Sequence, residues 1–183
     1  MADSTDRPMT VHRAAAEAEV EMAQETLSAI VDGAIAKGDV LSVAELAGVM
    51  AGKRAFDLIP LVHPAGLTQL VVNASPDRAA SAVRIHTETA AMGTTGVEME
   101  ALTAAAVAAL TIYDMIREVE PGAVVRSVRL ISSSDGEADE WRRQGGQAES
   151  MRPPKGVRVA GRITPSGLRG GPSYKPGSKK RIP

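Results

Sequence analysis

The chain has 183 residues, of which 44% are hydrophobic and only 2% aromatic, so its core must be built from Ala, Val, Leu, Ile and Met. It contains no cysteine, which excludes disulfides and thiolate metal sites. The histidines His12, His63 and His86 are too few and too scattered to indicate a metal centre. The sequence therefore predicts a protein with no metal site and no cofactor.

The net charge of −1 hides an uneven distribution. Residues 141–183 contain 11 Lys and Arg residues and a single acid, whereas residues 1–140 are strongly acidic. The C-terminal segment is also rich in Gly and Pro and poor in apolar residues, which predicts a disordered basic tail over 143–183. Such a tail could bind nucleic acid, but it offers little aromatic surface for stacking bases. A solvated tail that folds back on the acidic body is at least as good an interpretation.

The N-terminal residues 1–9 are polar and are predicted to be flexible. They lack the apolar core of a secretory signal. We also expect no membrane segment, because polar residues interrupt every apolar run before about 18 residues. The expected location is the cytoplasm.

Hydrophobic periodicity predicts a mixture of strands and helices. Asp39 is a suitable N-cap for the helix predicted over 41–58, which stops before Pro60. The order of the predicted elements, which is listed next, favours an α+β fold in which helices cover an antiparallel sheet. The predicted elements are a strand over 17–22, helices over 23–31 and 41–58, strands over 67–73 and 82–89 joined by a turn at 75–77, a helix over 97–120 and a strand over 124–132.

The long helix carries most of the polar groups that could do chemistry. It follows the small turn Gly93-Thr94-Thr95-Gly96, and such a turn can present backbone N–H groups and the helix dipole to an anion. At 100° per residue, Glu100 and Asp114 fall on one polar stripe of an otherwise apolar helix, together with Thr103 and Thr111. The stripe is either an ordinary solvent-exposed face or the lining of a site or subunit interface.

Three further residues could bind anions or exchange protons. His63 lies between Pro60 and Pro64, which restrict the backbone and could orient the imidazole. Lys53 lies in the last part of the helix predicted over 41–58, and Lys37 lies in a Gly-containing turn. Each of the three can equally be an ordinary loop or surface residue.

Several segments stand out by their order and spacing. They are Lys37-Gly38-Asp39-Val40, Ala51-Gly52-Lys53-Arg54, Asp57 to Pro64, Thr95 to Thr103, and Ala108 to Met115. Together they closely resemble the MoaC family, the cyclic pyranopterin monophosphate synthases of molybdenum cofactor biosynthesis. The resemblance covers about residues 8–142, which predicts a MoaC-like domain over 10–142.

The resemblance implies a ferredoxin-like α+β fold and a homohexamer, a trimer of dimers with the active site at a dimer interface. It implies a lyase that converts 3′,8-cyclo-7,8-dihydroguanosine 5′-triphosphate to cyclic pyranopterin monophosphate and releases pyrophosphate. The catalytic residues matched in this way are Lys37, Asp114 and Arg117. The matched substrate-binding residues are His12, Lys53, His63, Glu98, Met99 and Glu100.

Four positions differ from the family pattern. Thr94, Arg117 and Ser133 stand where the family has lysine, and His12 stands where it has arginine. Since a guanidinium does not exchange protons at physiological pH, Arg117 preserves charge but not acid–base capacity. Two alternatives to an active synthase follow: a diverged paralogue that acts on a less charged nucleotide or pterin, or a non-catalytic module that binds a partner or nucleic acid.

Overall fold

The structure is a computed structural model and describes residues 3–136 and 139–144. Apart from residues 143 and 144, the predicted basic tail lies outside the described residues. The helices and strands are β1 (Thr10–Glu21), α1 (Gln24–Val31), α2 (Val40–Gly52), α3 (Ala55–Leu58), β2 (Leu67–Asp77), β3 (Ala82–Gly93), α4 (Glu98–Ile116), β4 (Val124–Asp135) and β5 (Asp139–Arg142).

The five strands form one antiparallel sheet in the order β2-β3-β1-β4-β5. The first four strands and the intervening helices follow the β-α-β-β-α-β order of ferredoxin-like folds, with β1 and β3 in the centre. The prediction of a ferredoxin-like α+β fold is therefore confirmed.

Strand β1 forms the centre of the core. Ala14, Ala16, Ala18 and Val20 are buried on the helix-covered side, while the acidic residues between them face the open side. This alternation matches the prediction, but the strand begins at Thr10 rather than at residue 17. The earlier part escaped prediction because consecutive alanines give no contrast between its two faces.

Helix α4 packs on β1, β3 and β4, with fully buried alanines along its contact face. By length and composition α4 is apolar enough to cross a membrane, although the sequence analysis expected no apolar run of that length. Half of the helix is buried inside the fold, which is typical of a core helix.

Helices α2 and α4 approach closely through glycines. A Cβ atom at Gly48 would lie 2.9 Å from the carbonyl oxygen of Ala104, and one at Gly52 would lie 3.2 Å from that of Glu100. Residues further along α2 thus contact residues nearer the start of α4, so the two helices run antiparallel. The start of α2 consequently lies beside the last turn of α4.

Two predicted elements were wrong in detail. The helix over 41–58 is interrupted after Gly52, where Lys53 is the C-cap of α2, and α3 begins at Ala55. The predicted turn at 75–77 belongs to β2, because β2 is an edge strand and an edge strand tolerates Pro76.

The last part of the sheet also differs from expectation. The final predicted strand extends beyond residue 132, so Ser133 lies within β4 rather than after it. The short strand β5, which pairs with the end of β4, was not predicted. Its four residues, Asp139–Arg142, are mostly charged and give no hydrophobic pattern.

Candidate active site

The C-terminal end of α4 carries a compact set of charges, here called the C-terminal cluster: Lys37, Asp114, Arg117 and Glu118. Lys37 reaches α4 from the turn before α2. The side chain of Asp39 caps α2 by accepting a hydrogen bond from the backbone N–H of Ser42, as predicted.

The ammonium group of Lys37 is held by several oxygens of the cluster. Its Nζ donates a hydrogen bond of 2.7 Å to the backbone carbonyl of Asp114 and lies 3.4 Å from Asp114 Oδ2 and 3.6 Å from Glu118 Oε1. The other carboxylate oxygen of Asp114 lies 2.9 Å from Nε of Arg117. Asp114 therefore faces two cations, of which only the lysine can give up a proton at ordinary pH.

The opposite end of α4 carries a second set of predicted residues. Glu98 and Glu100 occupy its first turn, and Lys53 follows Gly52 beside that turn. The turn before α4 begins at Gly93, which pairs with Thr10 of β1. We call the predicted substrate-binding residues the N-terminal group, which also includes His63 although no contact in the described residues places His63 at this end of α4: His12, Lys53, His63, Glu98, Met99 and Glu100.

Two buried threonines of β3 fix the start of α4, and the sequence did not draw attention to them. Thr89 Oγ1 donates a hydrogen bond of 3.0 Å to the carbonyl of Val97, and Thr87 Oγ1 donates one of 2.9 Å to that of Ala101. The only signal in the sequence is a pair of hydroxyl residues two positions apart on the buried face of a strand.

Glu100 is buried, with 3% of its surface exposed, although it carries a carboxyl group. Among the described residues no hydrogen-bond partner reaches its Oε2 atom. Burial raises the pKa of Glu100, and the nearby charge of Glu98 adds to the shift. A buried carboxyl oxygen without a partner is costly, so this atom is suited to a hydrogen bond from a ligand or a second protein chain.

His12 is the other buried polar residue of the N-terminal group. Its Nε2 lies 3.1 Å from both the carbonyl of Gly93 and Oγ1 of Thr10, and its Nδ1 lies 3.4 Å from Asp135 Oδ1. Because a carbonyl oxygen only accepts, Nε2 carries a hydrogen. The imidazole thereby connects the turn before α4 to the end of β4.

The structure does not bring the two sets together within one chain. Fourteen helical steps separate Glu100 from Asp114, which corresponds to about 21 Å along the helix. Lys53 is exposed and makes no hydrogen bond or ion pair with the described residues, whereas His63 is half-buried and interacts electrostatically with Asp3. The single chain thus presents an acid–base cluster at one end of α4 and an incompletely paired polar group at the other.

The sequence profile of the MoaC family matches residues 1–136. The chain belongs to the MoaC family. Two relatives from Chloroflexus aurantiacus, strains J-10-fl and Y-400-fl, are each named cyclic pyranopterin monophosphate synthase. They are 46% identical to this chain over 143 residues, which is 78% of the chain and 88% of each relative.

A third relative of the same name, from Thermomicrobium roseum, is 42% identical over 152 residues, 83% of this chain and 92% of its own length. The MoaC resemblance inferred from the short motifs is thereby confirmed. The match to the MoaC profile includes both ends of α4 and stops before β5, whose residues 139–142 follow the matched region.

Proposed function

We propose that the chain is a cyclic pyranopterin monophosphate synthase of molybdenum cofactor biosynthesis. This lyase converts 3′,8-cyclo-7,8-dihydroguanosine 5′-triphosphate to cyclic pyranopterin monophosphate and releases pyrophosphate. The observation that carries the proposal is the contact between Lys37 and Asp114, 2.7 Å at the backbone and 3.4 Å at the carboxylate, in a chain 42–46% identical to proteins of that name.

The reaction requires proton transfers as a ring is opened and rebuilt. Lys37 would exchange the proton, since it is the group of the C-terminal cluster that both carries an acidic proton and has a neutral form available. Asp114 would orient the lysine and balance its charge through two hydrogen-bonding oxygens. Arg117 would hold the second oxygen of Asp114 and add a permanent positive charge for the phosphates.

The N-terminal group would bind the substrate. Lys53 would supply positive charge to the triphosphate and His63 would donate a hydrogen bond to it, while the buried His12 would position the turn before α4 through its contact with Gly93. The carboxylates of Glu98 and Glu100 would accept hydrogen bonds from the N–H edge of a guanine-type ring, and Oε2 of Glu100 has no other partner among the described residues. Met99 would contribute apolar contact.

A complete site would need two protomers, because about 21 Å of helix separates the two sets. Apolar side chains stay exposed on α2 and α4 between those ends: Leu46, Met50 and Leu110 are 61%, 54% and 58% exposed. Two copies that pair through this surface about a two-fold axis would join the C-terminal cluster of each to the N-terminal group of the other. We propose this pairing within a homohexamer, a trimer of dimers, that works in the cytoplasm.

The activity is tested by incubating the full-length chain with the cyclic dihydroguanosine triphosphate and measuring pyrophosphate release. Steady release that scales with protein concentration supports the synthase. Absence of release with protein in excess over substrate would exclude it. In that case, pyrophosphate release by the combined Thr94→Lys, Arg117→Lys and Ser133→Lys variant would identify a diverged paralogue. If this variant also releases no pyrophosphate, the non-catalytic binding module is the remaining alternative.

The pairing surface is tested separately by light scattering. Leu46→Glu combined with Leu110→Glu places charges in the proposed interface and should lower the particle mass. The matched control is Val31→Glu at the end of α1, where the replaced side chain is 40% exposed and lies outside this surface. Equal particle masses for the double variant and the parent protein would show that these helices are not the contact.

A further inference from the structure

The edge of the sheet beyond β4 carries an aromatic and cationic pair that the proposed mechanism does not use. Strand β5 places Trp141 directly opposite Ser133 and Arg142 opposite Ser132. Trp141 is the only tryptophan of the chain and is 45% exposed. A large aromatic ring left half exposed on an edge strand is available to contact a ligand.

Arg143 is held rigidly beside this ring. Its guanidinium carbon lies 5.6 Å from the centre of the Trp141 ring, a cation–π distance. Its Nε donates a hydrogen bond of 2.8 Å to the carbonyl of Leu130, and its backbone N–H donates one of 2.9 Å to that of Ile131. No carboxylate of the described residues pairs with it, so its terminal N–H groups remain available.

Arg142 provides a contrast on the same strand. Its guanidinium forms a 2.6 Å hydrogen bond with Glu140, so its charge is already balanced. The other nearby carboxylate, Asp135, accepts a hydrogen bond from Thr10 and faces His12. These two carboxylates are therefore engaged elsewhere, and among the side chains that the structure describes Arg143 has no carboxylate partner.

Hydroxyl groups and open space complete the arrangement. Ser133 shares a face of the sheet with Trp141 because the two residues are direct cross-strand partners. The side chains of Ser132, Ser133 and Ser134 make no hydrogen bond with the described residues. A wide, open cavity of about 610 Å³ borders strand β5, and the described residues that line it are Glu140, Trp141, Arg142, Arg143 and Gln144.

We propose that Arg143, Trp141 and Ser133 form a binding site for a phosphate chain. The guanidinium would bind phosphate oxygens through its free N–H groups, Ser133 would donate a further hydrogen bond, and Trp141 would keep the guanidinium in place. The site lies two residues along β4 from Asp135, the partner of His12, or about 7 Å. Its natural ligand, the triphosphate substrate or the pyrophosphate product, follows from the proposed function.

The single tryptophan allows a direct binding experiment. Inorganic pyrophosphate is titrated into the full-length protein at constant ionic strength while the fluorescence of Trp141 is recorded. We expect a saturable change that Arg143→Gln weakens about 10-fold or more, as for loss of a hydrogen bond to a charged group. The matched control Arg142→Gln, which removes a cation already paired with Glu140, should change the affinity by less than about twofold. Far-ultraviolet circular dichroism checks that each variant is folded.

Three results would overturn the site: no fluorescence change in the parent protein, equal weakening by the two arginine variants, or an unchanged affinity in Arg143→Gln. The last would point to the cations of residues 145–183 instead. The outcome is separable from that of the synthase assay, since binding is measured without turnover. If the protein binds pyrophosphate beside Trp141 but releases no pyrophosphate from the cyclic triphosphate, the binding site is supported and the proposed function is rejected.

Discussion

The two ends of α4 differ in how completely their charges are paired. At the C-terminal end, Lys37, Asp114 and Arg117 are exposed to solvent and are already in contact with one another. At the N-terminal end, Glu100 is buried with an oxygen that lacks a partner in the described part of the chain, and Lys53 pairs with none of those residues. One end is a preassembled set of charges and the other lacks partners in the described part of the chain, as the proposed sharing of one site between two protomers would require.

The largest effect should follow from removing proton exchange at the C-terminal end. Lys37→Arg keeps the positive charge but cannot release a proton, so the rate of pyrophosphate release should fall about 10²- to 10⁴-fold. The matched control is Lys53→Arg at the other end, where only charge is needed, and it should retain most of the activity. A Lys37→Arg enzyme within tenfold of the parent would contradict the acid–base role.

Mixing variants of the two ends should show whether they meet between protomers. Lys37→Ala and Glu100→Gln should each be nearly inactive, but unfolding and refolding them together would create mixed dimers with one intact site. About a quarter of the parental activity should then return if chains pair at random through a two-fold contact. If the refolded mixture is no more active than either variant alone, the two sets do not combine into one site between protomers.

The packing that holds both ends in register should be sensitive to a single methyl group. Gly48→Ala directs a Cβ against the Ala104 carbonyl at 2.9 Å and against Val72 at 3.0 Å, so the variant should lose about 1–3 kcal/mol of unfolding free energy. Gly66→Ala is the control, because nothing lies within 4 Å of its added Cβ. Urea unfolding gives the free energy of unfolding of the two variants and the parent. If Gly48→Ala is as stable as Gly66→Ala, α2 can move away from α4 to make room for the added methyl group.

The smallest effect should be a pH dependence of stability at Glu100. Its raised native pKa means that the folded state binds this proton more tightly than the unfolded state. The stabilising contribution is therefore complete below the ordinary pKa of 4.5 and is lost as the pH rises through the native value. Glu100→Gln should be more stable than the parent at about pH 8, with a difference that shrinks toward about pH 4. If the free energies of unfolding of the variant and the parent differ by the same amount at every pH, the raised pKa of Glu100 is ruled out.

The order of the elements and the core strand could be predicted from the sequence because they depend on local patterns. The Asp39 cap and the alternation of β1 are of this kind. The turn after β2 was misplaced because Pro76 suggested a turn. The structure instead turns at 78–81, where Asp77 Oδ1 accepts hydrogen bonds of 3.0 and 3.1 Å from the backbone N–H groups of Ala79 and Ala80.

The site was less predictable because its contacts are distant in sequence. Nothing local places Lys37 beside Asp114, 77 residues away; only the family motifs suggested that they work together. The helical stripe was partly informative, since Glu100 proved buried while Asp114 is exposed. One helix face can pass from core to solvent along its length when the neighbouring helix covers only part of it, and periodicity alone cannot show this. The roles assigned to individual residues remain predictions.

The buried face of α4 consists largely of alanines, including Ala101, Ala104, Ala105 and Ala108. An alanine has no rotamer to change, so the helix cannot adjust its position by repacking its own contact side chains. The helical rise then sets the spacing between the two polar ends as a fixed length. Any molecule that engages both ends must fit that length, so selection among ligands and subunit arrangements would act on their dimensions as well as on their charge.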